Sequence, residues 1–208
     1  MTAPVRLGGI RRTIFIAVAA AALATAAPAL AKSYRIVRAD ETYRIQPDGS
    51  VLVTERLTLA FQGHFHGAYR LIPVAGTETI DQVSVAENGL QYTPGADARV
   101  GSSGSSGTYG VTTNSDLWTQ VAWHFDASNT SRTFVVSYRM NGFVTAFADV
   151  GNLYLQVWGD QWAVPLGGLH ATVIFPSAAT RAERKLVRVW GHPGPRCMAR
   201  SRSRGPTG

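Results

Sequence analysis

Cysteine is nearly absent: Cys197 is the only one in 208 residues. No internal disulfide can form, so any core must hold by packing, and a cysteine-based metal site is excluded. The enzyme signatures are missing as well. There is no Gly-x-Ser-x-Gly, no His-Glu-x-x-His, no phosphate-binding P-loop and no dinucleotide glycine fingerprint. Internal repeats and sustained helical periodicity are also lacking. Charged side chains make up only 16% of the chain, and the +7 net charge is misleading. Three bases without an acid sit in residues 1–31, and four arginines without an acid follow Pro195, which leaves thirteen charges of each sign in the body. A nucleic-acid partner needs a basic face, and a neutral body does not provide one.

The first 31 residues are informative. Arg6, Arg11 and Arg12 form a basic start, Ile14 to Ala27 is an alanine-rich apolar run, and Pro28 breaks it before Ala29-Leu30-Ala31. That is the three-part layout of a secretory signal peptide with small residues at its cleavage site. We expect cleavage before Lys32 and export across the cytoplasmic membrane, to a periplasmic, extracellular or membrane-associated place. An uncleaved anchor is the alternative, since the run is near the lower length limit for a span. Arg11-Arg12 alone supports a twin-arginine signal.

The remainder is long enough for one domain, expected over 32–191. Its segments alternate at period two. Val51, Val53, Leu57, Leu59 and Phe61 share one face, with Thr54, Arg56 and Thr58 on the other. Residues 121–125, 133–140 and 169–175 repeat the pattern, and 41–46 forms a strand before the turn Pro47-Asp48-Gly49-Ser50. Shorter strands are expected at 66–72, 80–86, 108–113, 143–147 and 186–190. Turn residues at Gly76, Asn88-Gly89, Asn141-Gly142 and Gly167-Gly168 separate them. Many short alternating strands predict an all-β fold, an antiparallel β-sandwich, immunoglobulin-like in broad architecture. Asp149 to about Trp158 reads equally as helix or strand. Gly101–Gly107 is a Gly/Ser loop, flexible by composition and inside the domain.

Asp48 to Glu55, Phe61 and Gly67-Ala68-Tyr69-Arg70-Leu71-Ile72-Pro73 resemble a family of predicted bacterial membrane proteins known as domain of unknown function 2207. The resemblance continues in Val121–Phe125, Arg132–Arg139, Asp149, Leu153-Tyr154, Trp158-Gly159 and Trp162–Pro165, in order over about residues 33–191. It implies an extracytoplasmic β-rich domain, with membrane attachment in the full-length form. It carries over no catalytic residue and no cofactor.

Residues 192–208 are expected to be disordered, and from about Pro193 to be an out-of-frame reading. They contain Pro, Gly, Ser and Arg without apolar periodicity. On that reading the chain has lost its last strand and any membrane helices beyond it. Asn129-Thr130-Ser131 fits a glycosylation sequon.

Few residues carry candidate chemistry. His64 and His66 would share a side of a strand, but no third metal ligand is apparent, so no metal is assigned and an exposed turn is the preferred reading. Of the five tryptophans, Trp123 falls on an apolar strand face. Trp158 and Trp162 flank Gly159-Asp160 and are the candidate sugar platform, with core packing as the preferred alternative. Glu55 is the sharpest anomaly, because it falls on the inward face between Val53 and Leu57. A carboxylate there must be paired, hydrogen-bonded or protonated. A hairpin loop over 62–65 would bring Arg70 to it on the neighbouring strand, making a structural ion pair. Glycoside hydrolysis needs a second facing carboxylate, and none presents itself. The sequence therefore points to a non-catalytic exported binding or assembly module, with an unidentified protein or a cell-envelope glycan as partner. The alternative is a carbohydrate-binding or glycan-processing domain.

Overall fold

The computed structural model describes residues 32–114, 118–158 and 162–176. The leader, the expected strand at 186–190 and the tail lie outside them. The strands are β1 (Ser33–Ile45), β2 (Val51–Gln62), β3 (His64–Pro73), β4 (Thr79–Glu87), β5 (Leu90–Gln91) and β6 (Thr93–Pro94). They continue as β7 (Thr108–Asn114), β8 (Trp118–Ser128), β9 (Ser131–Asn141), β10 (Val144–Ala146), β11 (Gly151–Leu153) and β12 (Leu169–Ile174). One sheet has the order β12-β1-β2-β9-β4-β5 and the other β3-β8-β7-β6, while β10 and β11 form a separate hairpin. The protein is all-β, with the two sheets stacked.

The sandwich is not purely antiparallel, since β12 runs parallel to β1 and β6 parallel to β7. The candidate helix at 149–158 is not one. Gly151–Leu153 pairs with Val144–Ala146, and no helix occurs among the described residues. Val150, Val157 and Trp158 suit extended chain better than helix.

Period-two alternation builds the core. On β2, Val51, Val53, Leu57, Leu59 and Phe61 are buried, while Thr54 and Arg56 are exposed. They meet Val121, Trp123 and Phe125 from β8 and Phe134, Val136 and Tyr138 from β9. Across the interface Phe125 and Phe134 lie 4.6 Å apart and Trp123 and Phe134 5.6 Å apart, ring centre to ring centre. Such contacts add to the area each ring buries. Asn88 and Gly89, both at positive φ, close the tight β4–β5 hairpin.

Two connections place the site. Gly63 alone joins β2 to β3, in the left-handed region at φ +83°, and the chain changes sheet there. Asn129 sits in the neighbouring β8–β9 crossing, and its Oδ1 accepts a hydrogen bond from Gly63 N–H at 2.9 Å. The Gly/Ser loop is pinned onto β8. Gly107 N–H donates to the His124 carbonyl at 2.8 Å, and the Gln120 amide donates to the Ala98 carbonyl. Gly104 lies against the His124 ring, leaving no room for a β-carbon.

Candidate functional site

The inward face of β2 interrupts its apolar residues with Glu55, which is fully buried. Its register partner on β1 is Glu41, 1% exposed. Both strands alternate in phase there, so two carboxyl groups enter the core side by side. Arg70 enters from β3 in the opposite sheet. Its Nε lies 3.0 Å from Glu55 Oε2 and 3.3 Å from Oε1, and its Nη1 donates to the Leu71 carbonyl at 2.5 Å. Tyr138 on β9 donates its hydroxyl proton to Glu55 Oε1 at 2.6 Å. Tyr43, two residues beyond Glu41, donates to Glu41 Oε2.

Arg70 thus meets Glu55 across the sandwich and not along a hairpin. The expected 62–65 loop is replaced by the single-residue corner at Gly63, which sends β2 and β3 into different sheets.

One cation faces two carboxyl groups, so only one carboxylate can be balanced. Burial, followed by the nearby Glu55 charge, pushes Glu41 up to about 8, so at neutral pH Glu41 is a neutral acid. Burial and the Glu41 charge also raise the Tyr43 hydroxyl, and burial and Glu55 raise that of Tyr138. Burial opposes the Arg70 cation, but the Glu55 charge, Tyr138 and the hydrogen bond to Glu55 outweigh it and hold the proton on. The cluster is a Glu–Arg ion pair with a protonated glutamate beside it. A second Glu–Arg–Tyr group joins Glu87, Arg132 and Tyr92, with Tyr92 donating to Glu87 Oε2 at 2.9 Å and Arg132 at 2.5 Å. Burial would raise Glu87, but these two partners hold it below its ordinary value.

Trp158 and Trp162 lie on the irregular segment between β11 and β12, half-buried against the core. Their rings are stacked at 5.0 Å and 4°. The Arg70 guanidinium lies 5.7 Å from the Trp162 ring centre. Beside it is a cavity of about 210 Å³, bounded by Phe65 and residues 67–71 of β3, by Tyr34, Leu59 and Phe61, and by Trp162 and Ala163. Trp162 therefore roofs a mainly apolar pocket with Arg70 in its wall.

His64 and His66 are exposed at the start of β3, each with its own neighbour: Ser128 Oγ at 3.3 Å and Asp126 Oδ1 at 3.3 Å. Among the described residues no three His, Cys, Asp or Glu side chains converge as a metal site would need. Trp123 is fully buried in the core. Sequence reasoning missed Glu41, Tyr43 and Tyr138. For Glu41 the signal was available, because it is in phase with Tyr43 and Ile45 and therefore faces inward.

No helix among the described residues is long and apolar enough to cross a membrane, which leaves strand-spanning proteins aside. No curated protein matches the chain. A family model described as predicted membrane protein (DUF2207), N-terminal domain, matches residues 35–205. The match runs past residue 191 and through most of the segment whose composition reads as out of frame. Covering well over half of the chain, it shows that this protein belongs to the DUF2207 family of predicted membrane proteins.

Proposed function

We propose that this domain is an exported, non-catalytic binding or assembly module of a membrane protein. It takes an apolar group of a protein partner in the pocket beneath Trp162. Arg6, Arg11 and Arg12, the apolar run and Ala29–Ala31 support export through a cleaved signal peptide. One observation carries the non-catalytic reading: neither carboxyl group is more than 1% exposed, and each is engaged by a buried partner. A general acid must come within hydrogen-bond reach of its substrate, and neither carboxyl group reaches the surface, although Glu41 Oε1 has no hydrogen-bond partner of its own. The pocket is open to a different use. A cavity of about 150 Å³ accommodates benzene, so about 210 Å³ holds one aromatic or branched side chain.

Titration of the protein with indole, followed by the Leu71 methyl signals in NMR, tests the pocket. Saturable shifts that vanish in Ala68→Leu, which fills the pocket, are expected. Absence of shifts in both proteins refutes the binding site, and turnover of cell-wall glycans that disappears in Glu55→Gln refutes the non-catalytic reading. The carbohydrate-binding alternative draws support from Trp158 stacking on Trp162, which in turn lies next to Arg70. Against it, their mutual stacking covers a face of each ring that a sugar would use. Oligosaccharide binding lost in Trp158→Ala would favour it.

A further inference from the structure

We propose that Arg70 sets what the pocket beneath Trp162 accepts: the occupant brings a neutral carbonyl oxygen to the guanidinium, as an apolar residue inside a peptide chain does. This rests on the pocket reading above and adds the polar half of the ligand.

A guanidinium carries five N–H donors in a planar fork. Nε of Arg70 donates to Glu55, whose two oxygens lie 3.0 and 3.3 Å from it, and Nη1 donates to the Leu71 carbonyl. A carboxylate often spans two nitrogens of the fork. Here both oxygens sit on Nε, and Nη2 makes no hydrogen bond among the described residues. Nη2 is nevertheless not sealed inside the protein. Arg70 is only 4% exposed, and it lines the cavity. That remaining exposure opens on the cavity, so the unpaired N–H groups face its interior. The roof adds a second unpaired donor, since Trp162 Nε1 is buried without an acceptor. A buried donor left unpaired is costly, and an occupant that supplies an acceptor relieves the cost.

The charge balance selects a neutral acceptor. Arg70 is the one charged side chain among the described residues that line the cavity, and Glu55 already neutralises it. A ligand carboxylate would set a further negative charge beside a single buried cation, the same imbalance that keeps the proton on Glu41. Size selects a peptide over an acetamido sugar. A cavity of about 150 Å³ takes a benzene ring, so about 210 Å³ has room for a ring and its carbonyl. An acetyl methyl would leave most of that space empty. Leu59, Phe61, Phe65 and Leu71 receive the apolar side chain, and Arg70 receives the main-chain oxygen next to it. An internal peptide segment meets both demands, whereas a C-terminal residue brings a carboxylate.

The test titrates the full chain with acetophenone, ethylbenzene and benzoate at neutral pH, followed by the Leu71 methyl signals. A wholly apolar cavity takes ethylbenzene best, because a carbonyl gives up its water there without return. With Arg70 open to it, acetophenone should bind at least as tightly as ethylbenzene and about tenfold more tightly than benzoate. The infrared carbonyl band of bound acetophenone should lie below its position in hexane, as a hydrogen bond requires. In Glu41→Gln/Glu55→Gln the cation is unbalanced, and the order should reverse, with benzoate ahead of acetophenone. Should that double variant not fold, the parent protein still decides. Tighter binding of ethylbenzene, a carbonyl band at the hexane position, or benzoate equal to acetophenone in the parent would overturn the proposal while the pocket stands. N-acetylglucosamine binding more tightly than acetophenone would overturn it too and assign the site to a glycan. If no ligand shifts the Leu71 signals, the pocket reading itself fails and takes this proposal with it.

Discussion

Replacing Arg70 with methionine leaves the fully buried Glu55 opposite an apolar chain, its hydrogen bond from Tyr138 still in place. Removing one member of a buried pair costs about 3–5 kcal/mol, because the other charge remains without compensation. A domain of this size shifts its melting temperature by about 2–4 °C per kcal/mol. The expected fall is therefore roughly 6–20 °C, a large part of a typical total stability of about 5–15 kcal/mol. Glu55→Leu should cost a similar amount, through the stranded Arg70. The double variant removes both charges, so it should be more stable than either single variant. Urea unfolding followed by tryptophan fluorescence measures all four corners of the cycle. Single-variant losses below about 1 kcal/mol that simply add in the double variant would refute the reasoning, because groups in direct contact must couple.

Glu41 gives a pH dependence. Its value rises on folding from about 4.3 to about 8, so between these limits the native state holds a proton that the unfolded chain releases. The stabilisation is fully present below about pH 4.3 and is lost as pH rises through about 8, at up to about 1.4 kcal/mol per pH unit. Urea titrations at pH 5.5 and 7.5 should show the protein weaker at 7.5, and Glu41→Gln should remove the slope. Gly110→Ala would set a β-carbon 2.0 Å from the Ala96 carbonyl oxygen. It should cost about 1–3 kcal/mol and make the 95–107 loop more open to proteases. Asn129→Ala loses both the bond to Gly63 and a side chain tolerant of φ +48°, and should cost about 1–3 kcal/mol by thermal melting. Asn129→Gly keeps the backbone freedom and should cost less.

Much of the sandwich was legible because its signals are local. Alternation on β2 and β9 marked Val53, Leu57, Phe134 and Val136 as core and exposed Glu55 as the exception. Asn88-Gly89 announced a tight hairpin. What was hidden depends on long-range pairing. Nothing near Gly63 says that one residue suffices to change sheets, so a hairpin approach of Arg70 to Glu55 is expected where the two in fact meet across the sandwich. The parallel pairing of β12 with β1 joins segments more than a hundred residues apart. Glu41 could have been read from its phase, but Asp40 and Arg44 around it make the strand look polar on both faces. Trp158 and Trp162 lie where alternation fails, and neither their stacking nor the approach of Trp162 to Arg70 is written in a local pattern.

Glu55 and Arg70 neutralise one another inside this sandwich, with a proton on Glu41 completing the balance. Carboxyl ¹³C NMR on glutamate-labelled protein tests it most directly. One glutamate signal should stay protonated through neutral pH, titrate at about 8 and be missing in Glu41→Gln. A Glu41 signal that titrates near the ordinary value of about 4.3, in a protein that remains folded, would contradict it.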